Sequence, residues 1–153
     1  MNDEPHNLIR FEQAQAGGYQ TALAEIRGGR KQSHWMWYIF PQAQGLGRSE
    51  TARRYSIKDM AEARAYLSHP VLGRRLLECA EAVLRVKDRS ATQIFGSPDD
   101  MKLRSSATLF AAISPRGSVF DQLLKRYFPE GRDELTLRLM GLAPSRGEDP
   151  LTG

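Results

Sequence analysis

Apolar residues recur at three- and four-residue intervals in almost every segment of this chain that has any periodicity, which leaves little room for strands. The clearest case is Pro70 to Asp88. Leu72, Leu76, Cys79, Ala80, Val83 and Leu84 fall on one side of a helical wheel, and Arg74, Arg75, Glu78, Glu81 and Arg85 on the other. Such a stripe must be buried against neighbouring elements, and the other segments offer helices to do it. The expectation is an all-α fold, a compact single-domain bundle of about six to seven helices. A length of 153 residues suits one hydrophobic core. Residues 1–142 are taken as the domain. Residues 143–153, rich in Pro, Gly and charge, are taken as a flexible tail that lacks the apolar surface to offset ordering.

Boundaries follow from caps and breakers. Leu8, Phe11 and Gln15 share one stripe, and Gly17-Gly18 is expected to stop that helix, with a second from Tyr19 to Arg27 completing a hairpin. A helix from Lys58 to Leu67 is limited by Pro70, where the long helix begins. Ser97 is read as an N-cap with Pro98 at the first helical position and acids in the first turn, and Met101, Leu109, Phe110 and Ile113 are placed inward. Two further helices are expected at Ser118 to Phe128 and, capped by Asp133, at Asp133 to Met140.

Charge narrows the function only slightly. Lys plus Arg number 22 against 18 Asp plus Glu, a net of +4, which suits an anionic small molecule as well as a nucleic acid. The lone cysteine, Cys79, sits on the apolar stripe, so it reads as a buried thiol, and neither a disulfide framework nor a zinc site is available. The N-terminus has no basic stretch followed by an apolar one, and no run of ~18 apolar residues exists. A cytoplasmic monomer is expected, with no membrane contact, no metal and no cofactor.

Four blocks carry a resemblance: "GRKQSHWMWYIFPQAQGLGRSETARRYSI", "EARAYLSHPVLGRRLLE", "IFGSPDDMKLRSSATLF" and "VFDQLLKRYFPEGRDELTLRLM". Together they resemble the bacterial domain-of-unknown-function family 1810 (DUF1810), from about Phe11 to Met140, with His-Trp-Met-Trp and Phe-Pro-Gln-x-x-Gly-Leu-Gly as the distinctive parts. The resemblance implies a compact, mainly helical fold in bacterial cytoplasm and no agreed activity.

The residues themselves suggest where to look for a site. A short helix from a Ser33 cap to Ile39, bounded by Pro41, would be apolar or aromatic on every face, as in an element surrounded by others. Trp35, Trp37, Tyr38 and Phe40 then either fill the core or offer one or two rings to stack on a planar ligand, and both can hold for different rings. His34 would lie in the first turn, where free N–H groups and Lys31 can hold an anion. The loop "PQAQGLGRS" adds Gln42, Gly45, Gly47 and Ser49 as candidate contacts, although it lacks the Lys-Ser/Thr ending of a nucleotide loop. In the third block Asp99, Lys102 and Ser106 share a stripe with Ser105 beside it, and Lys102 and Ser105 join the candidate lining.

These placements describe a cleft between the Lys31 to Ser49 segment and the Asp99 to Thr108 helix, suited to an anionic, nucleotide-like or ADP-ribose-like ligand. Its enzymatic version would hydrolyse a glycosidic bond with His34 or Asp99 as general acid or base. No triad, carboxylate pair or metal-ligand spacing assigns a reaction. Two other classes stay open: a nucleic-acid-associated protein contacting phosphates through Arg53, Arg54, Arg74, Arg75 and Arg104, and a structural or partner-binding helical domain.

Overall fold

The structure, a computed structural model, describes residues 6–142, so the segment taken as a tail, 143–153, lies outside the described residues. Within them the chain forms nine helices: α1 (Ile9–Arg27), α2 (Met36–Ile39), α3 (Glu50–Arg54), α4 (Met60–Ser68), α5 (Leu72–Arg85), α6 (Ala91–Phe95), α7 (Asp99–Ala111), α8 (Val119–Tyr127) and α9 (Glu134–Leu139). The all-α expectation holds. The count exceeds six to seven because three short helices, of four and five residues, punctuate the loops. The sole extended pairing among the described residues is a parallel bridge between Ala43 and Ile57, in which Gln44 N–H donates to the Ile57 carbonyl at 2.8 Å and Ile57 N–H to that of Gln42 at 2.9 Å.

The core lies where α1, α4, α5, α7 and α8 pack on one another. α5 buries Leu72, Leu76, Cys79, Ala80 and Val83, as its spacing demands. α7 is covered on nearly all sides, with Leu103 and every residue from Ser105 to Ala111 buried. Its neighbours explain this: α4, α6, α8 and α9 all pack against it. Burial pushes the Cys79 thiol up to about 12, with the neighbouring Glu78 carboxylate acting in the same direction, so it is an inert core group.

Caps set most ends. Ser49, Asp59, Ser118 and Asp133 each accept a backbone N–H from the first turn of α3, α4, α8 and α9. α6 opens on a reciprocal Ser90–Gln93 capping box. His69 caps α5: its Nδ1 accepts from the N–H groups of Val71 and Leu72, both at 3.1 Å, so the proton of the neutral ring sits on Nε2, facing Glu12.

Four local expectations are corrected. Gly17-Gly18 does not break the first helix, which runs through them for 19 residues. A Cβ on Gly18 would lie 2.3 Å from Tyr38 Oη, so this glycine admits a tyrosine against the helix rather than ending it. Ser33 does not cap α2, whose N-cap is Trp35 with no side-chain bond, and His34 therefore precedes the helix. Ser97 does not cap α7 either, because that place falls to Pro98. Met101 faces solvent.

Candidate functional site

The aromatic block is hung from one carboxylate on α1. Glu25 Oε1 accepts from Gln32 N–H at 2.7 Å, Ser33 N–H at 2.9 Å and the Trp35 indole N–H at 2.8 Å, while Oε2 accepts from Ser33 Oγ at 2.6 Å. Burial alone would raise this carboxyl, and the hydrogen bonds from Ser33, Gln32 and Trp35 override it, holding it down at about 2. Glu25 thus converts the turn after α1 into a fixed entry for α2. Sequence spacing had not singled it out, since its partners lie beyond the Gly28-Gly29 turn.

Held in this way, the rings divide. Trp35, Met36, Ile39 and Phe40 are sealed, and Trp35 and Phe40 both meet Phe95 edge-on with centroids 6.2 and 6.1 Å apart. Trp37 and Tyr38 are half-buried. Tyr38 is turned inward on α1, where its carbonyl accepts from Gln15 Nε2 at 2.7 Å. Trp37 is left with an open side.

Beside Trp37 lies a three-charge cluster joining the loop to α7. Lys31 Nζ is 2.9 Å from Asp99 Oδ2 and donates to the Ser33 carbonyl at 2.6 Å, and Lys102 Nζ is 3.2 Å from Asp99 Oδ1. Each ammonium also sits against an indole, Lys31 over Trp35 at 5.2 Å and Lys102 over Trp37 at 5.1 Å. The Lys31 side chain is only 8% exposed and that of Lys102 27%. Two cations share one carboxylate, so the cluster retains one positive charge. Both Asp99 oxygens face an ammonium, which leaves neither free to act as a base. One turn beyond Lys102, the Ser106 hydroxyl is buried without a hydrogen-bond partner.

The expected lining therefore comes together only in part. Lys31, Trp37, Lys102 and Asp99 meet; His34 is exposed three residues before Trp37. The Gly-Leu-Gly loop packs closely on its neighbours. Gly45 takes φ +107°, and a Cβ there would lie 3.1 Å from Leu139 Cδ2, a Cβ on Gly47 would lie 2.4 Å from that of Ala52, and Ser49 Oγ accepts from Ala52 N–H at 3.0 Å. The Gln42 backbone forms the bridge to Ile57. Ser105 Oγ bonds the Met101 carbonyl at 3.2 Å and Asp133 Oδ2 at 3.1 Å, tying α7 to the cap of α9.

The arginines of the nucleic-acid alternative are dispersed. Arg75 lies over the Tyr19 ring at 4.7 Å, and Arg104 donates to the carbonyls of Gly131 and Arg132 at 2.7 and 2.9 Å. Arg53 and Arg54 remain exposed together on α3. Two concavities flank other parts of the molecule: one of about 480 Å³ beside α8, lined by Arg116, Leu124, Lys125 and Phe128, and one of about 380 Å³ between the N-terminal segment and the α3–α4 turn. Among the described residues no group of three or more His, Cys, Asp or Glu side chains is placed to hold a metal ion, and no helix is long and apolar enough to cross a membrane.

A family model described as "Protein of unknown function (DUF1810)" matches residues 5–140. The crystal structure of the conserved hypothetical protein Rv1873 from Mycobacterium tuberculosis superposes with a TM-score of 0.88 at 47% identity, covering 92% of this chain and 100% of that one. No curated protein matches.

Proposed function

The chain belongs to the family described as protein of unknown function (DUF1810), and from that premise we propose that it binds an anionic small molecule with a planar moiety, of nucleotide or ADP-ribose type, at the Trp37 rim. The observation that carries the reading is the pairing of a half-open indole with a part-exposed ammonium: Lys102 Nζ stands 5.1 Å from the Trp37 ring beside a cluster with one uncompensated positive charge. A planar group stacks on the ring, and the anionic group takes the remaining donors of Lys102 and the imidazole of exposed His34. The reading is of binding rather than catalysis. Asp99 is committed to two lysines, and His34 has no hydrogen-bonded partner among the described residues to orient it.

A thermal-shift panel of NAD, ADP-ribose and mononucleotides tests it. At a hundredfold excess over its Kd a ligand stabilises the folded state by ~2.7 kcal/mol, which in a domain of this size raises Tm by roughly 5–11 °C. The expected result is such a shift for at least one compound, lost in Trp37→Ala, Lys102→Ala and His34→Ala. No shift with any compound, or equal shifts in wild type and all three variants, overturns the reading.

A further inference from the structure

The concavity of about 380 Å³ between the N-terminal segment and the α3–α4 turn is built around a saturated arginine. Arg10 donates through Nε to the Arg54 carbonyl at 2.7 Å, through Nη1 to the carbonyls of His6 and Asn7 at 2.9 and 2.8 Å, and through Nη2 to the Ser56 carbonyl and Glu62 Oε2, both at 2.8 Å. All the N–H groups of its guanidinium are thereby used. Glu62, whose side chain is fully buried, also accepts from Lys58 N–H at 3.0 Å. Arg10 and Glu62 are the floor and hold three segments in place; they have nothing left to offer a ligand.

The walls are different. Arg53, Arg54 and Lys58 line the same concavity, are exposed, and form no ion pair among the described residues. With Arg10 they set four cations against the one carboxylate, Glu62, among the described lining residues. His6 also lines the concavity, and its Nδ1 is buried without a hydrogen-bond partner. Three exposed cations with no ion pair among the described residues suit a multivalent oxyanion, which matches their charge, and the His6 ring adds an imidazole to the lining. The remaining lining, Asn7, Gln44 and Ser56, is neutral and polar, which suits hydroxyl groups.

A neighbouring depression along α3 adds a further constraint. It shares Arg53 and Arg54 and is otherwise lined by Thr51 and Glu50. A ligand extending along α3 meets a hydroxyl and a carboxylate there, so a second anionic group at its far end would be repelled. We infer that this pocket holds the phosphate monoester end of a small, otherwise neutral, hydroxylated molecule. Gln44 brings one residue of the "PQAQGLG" loop to the neutral part of the lining. The two sites have no lining residue in common, and each stands or falls alone.

Isothermal titration calorimetry with glucose 6-phosphate, inorganic phosphate and glucose tests the inference. Glucose 6-phosphate should bind saturably with a Kd below about 1 mM, phosphate more weakly, and glucose should be silent. Arg53→Gln and Lys58→Gln, which remove exposed groups with no ion pair among the described residues and so leave Tm unchanged, should each weaken binding by about tenfold or more, and His6→Ala should weaken it too. Absence of saturation by about 10 mM glucose 6-phosphate, or identical binding by the Arg53→Gln/Lys58→Gln double variant, overturns the inference. Two further arms separate other sources of phosphate. Capture by phosphatidic-acid vesicles that glucose 6-phosphate does not relieve, or steeply salt-dependent binding of a single-stranded DNA oligonucleotide with glucose 6-phosphate silent, would move the patch to a lipid or a nucleic acid and refute a small-molecule site.

Discussion

Replacing Glu25 by glutamine removes the charge from which the loop before α2 hangs. In wild type four hydrogen bonds converge on this carboxylate, and its pKa lies at about 2 rather than the ordinary 4.5. Each pKa unit corresponds to ~1.36 kcal/mol, so a sealed group with that gap would contribute ~3 kcal/mol. Glu25 is only half-buried, and solvent screening reduces the figure to ~1–2 kcal/mol. Because the folded value is depressed, the contribution is fully present above pH 4.5 and disappears as pH falls through about 2. Glutamine can still accept some of the bonds but has no charge to lose. Thermal melts of wild type and Glu25→Gln between pH 7 and 2 should therefore show a wild-type advantage of roughly 2–8 °C at pH 7. The advantage should shrink below pH 4.5 and nearly vanish at pH 2. A gap that stays constant across this range, or no gap at pH 7, refutes the assignment of Glu25 as the charged anchor of the aromatic block.

Other substitutions probe the scaffold. Gly18→Ala puts a Cβ 2.3 Å from Tyr38 Oη and should cost ~1–3 kcal/mol; Gly17→Ala, with nothing within 4 Å, should stabilise by ~0.4–1 kcal/mol in the same urea titrations. Arg10→Met leaves Glu62 sealed and uncompensated, at a cost of ~3–5 kcal/mol, and adding Glu62→Met should recover part of it. Trp35→Ala, emptying a site 1% exposed, should cost ~3–5 kcal/mol, and half-buried Trp37→Ala clearly less in the same melts.

The elements that sequence spacing located best are those whose signal is local. α5 shows its buried stripe directly, and Ser118 and Asp133 mark the starts of α8 and α9 because a cap acts within one turn. α3 and α6, five residues each, are too short to display a period. What was misread depended on distant chain. A glycine pair ordinarily ends a helix, and only the tyrosine packed against Gly18 gives it another purpose. Nothing local tells Trp35 from Trp37, two residues apart in one aromatic run; the first is sealed beneath Phe95 and the second opens beside Lys102. Asp99 and Lys102 lie at helical spacing and could be paired by eye, but Lys31 reaches Asp99 only through the tertiary fold. For the same reason the packing role of the Gly-Leu-Gly loop is not visible in the sequence: its glycines admit Leu139 and Ala52, which only the fold brings to them.

The direct test of the Trp37 site is a titration followed by ¹H–¹⁵N NMR of the two indole N–H groups, since the chain holds two tryptophans. The Trp35 signal reports the bond to Glu25 and the Trp37 signal the open rim. Added ADP-ribose or NAD should move the Trp37 indole signal saturably, with Trp37→Phe identifying the peak, and leave the Trp35 signal nearly in place. If both signals stay fixed throughout the titration, or the Trp35 signal alone moves, Trp37 is not a ligand wall and the proposed function is contradicted.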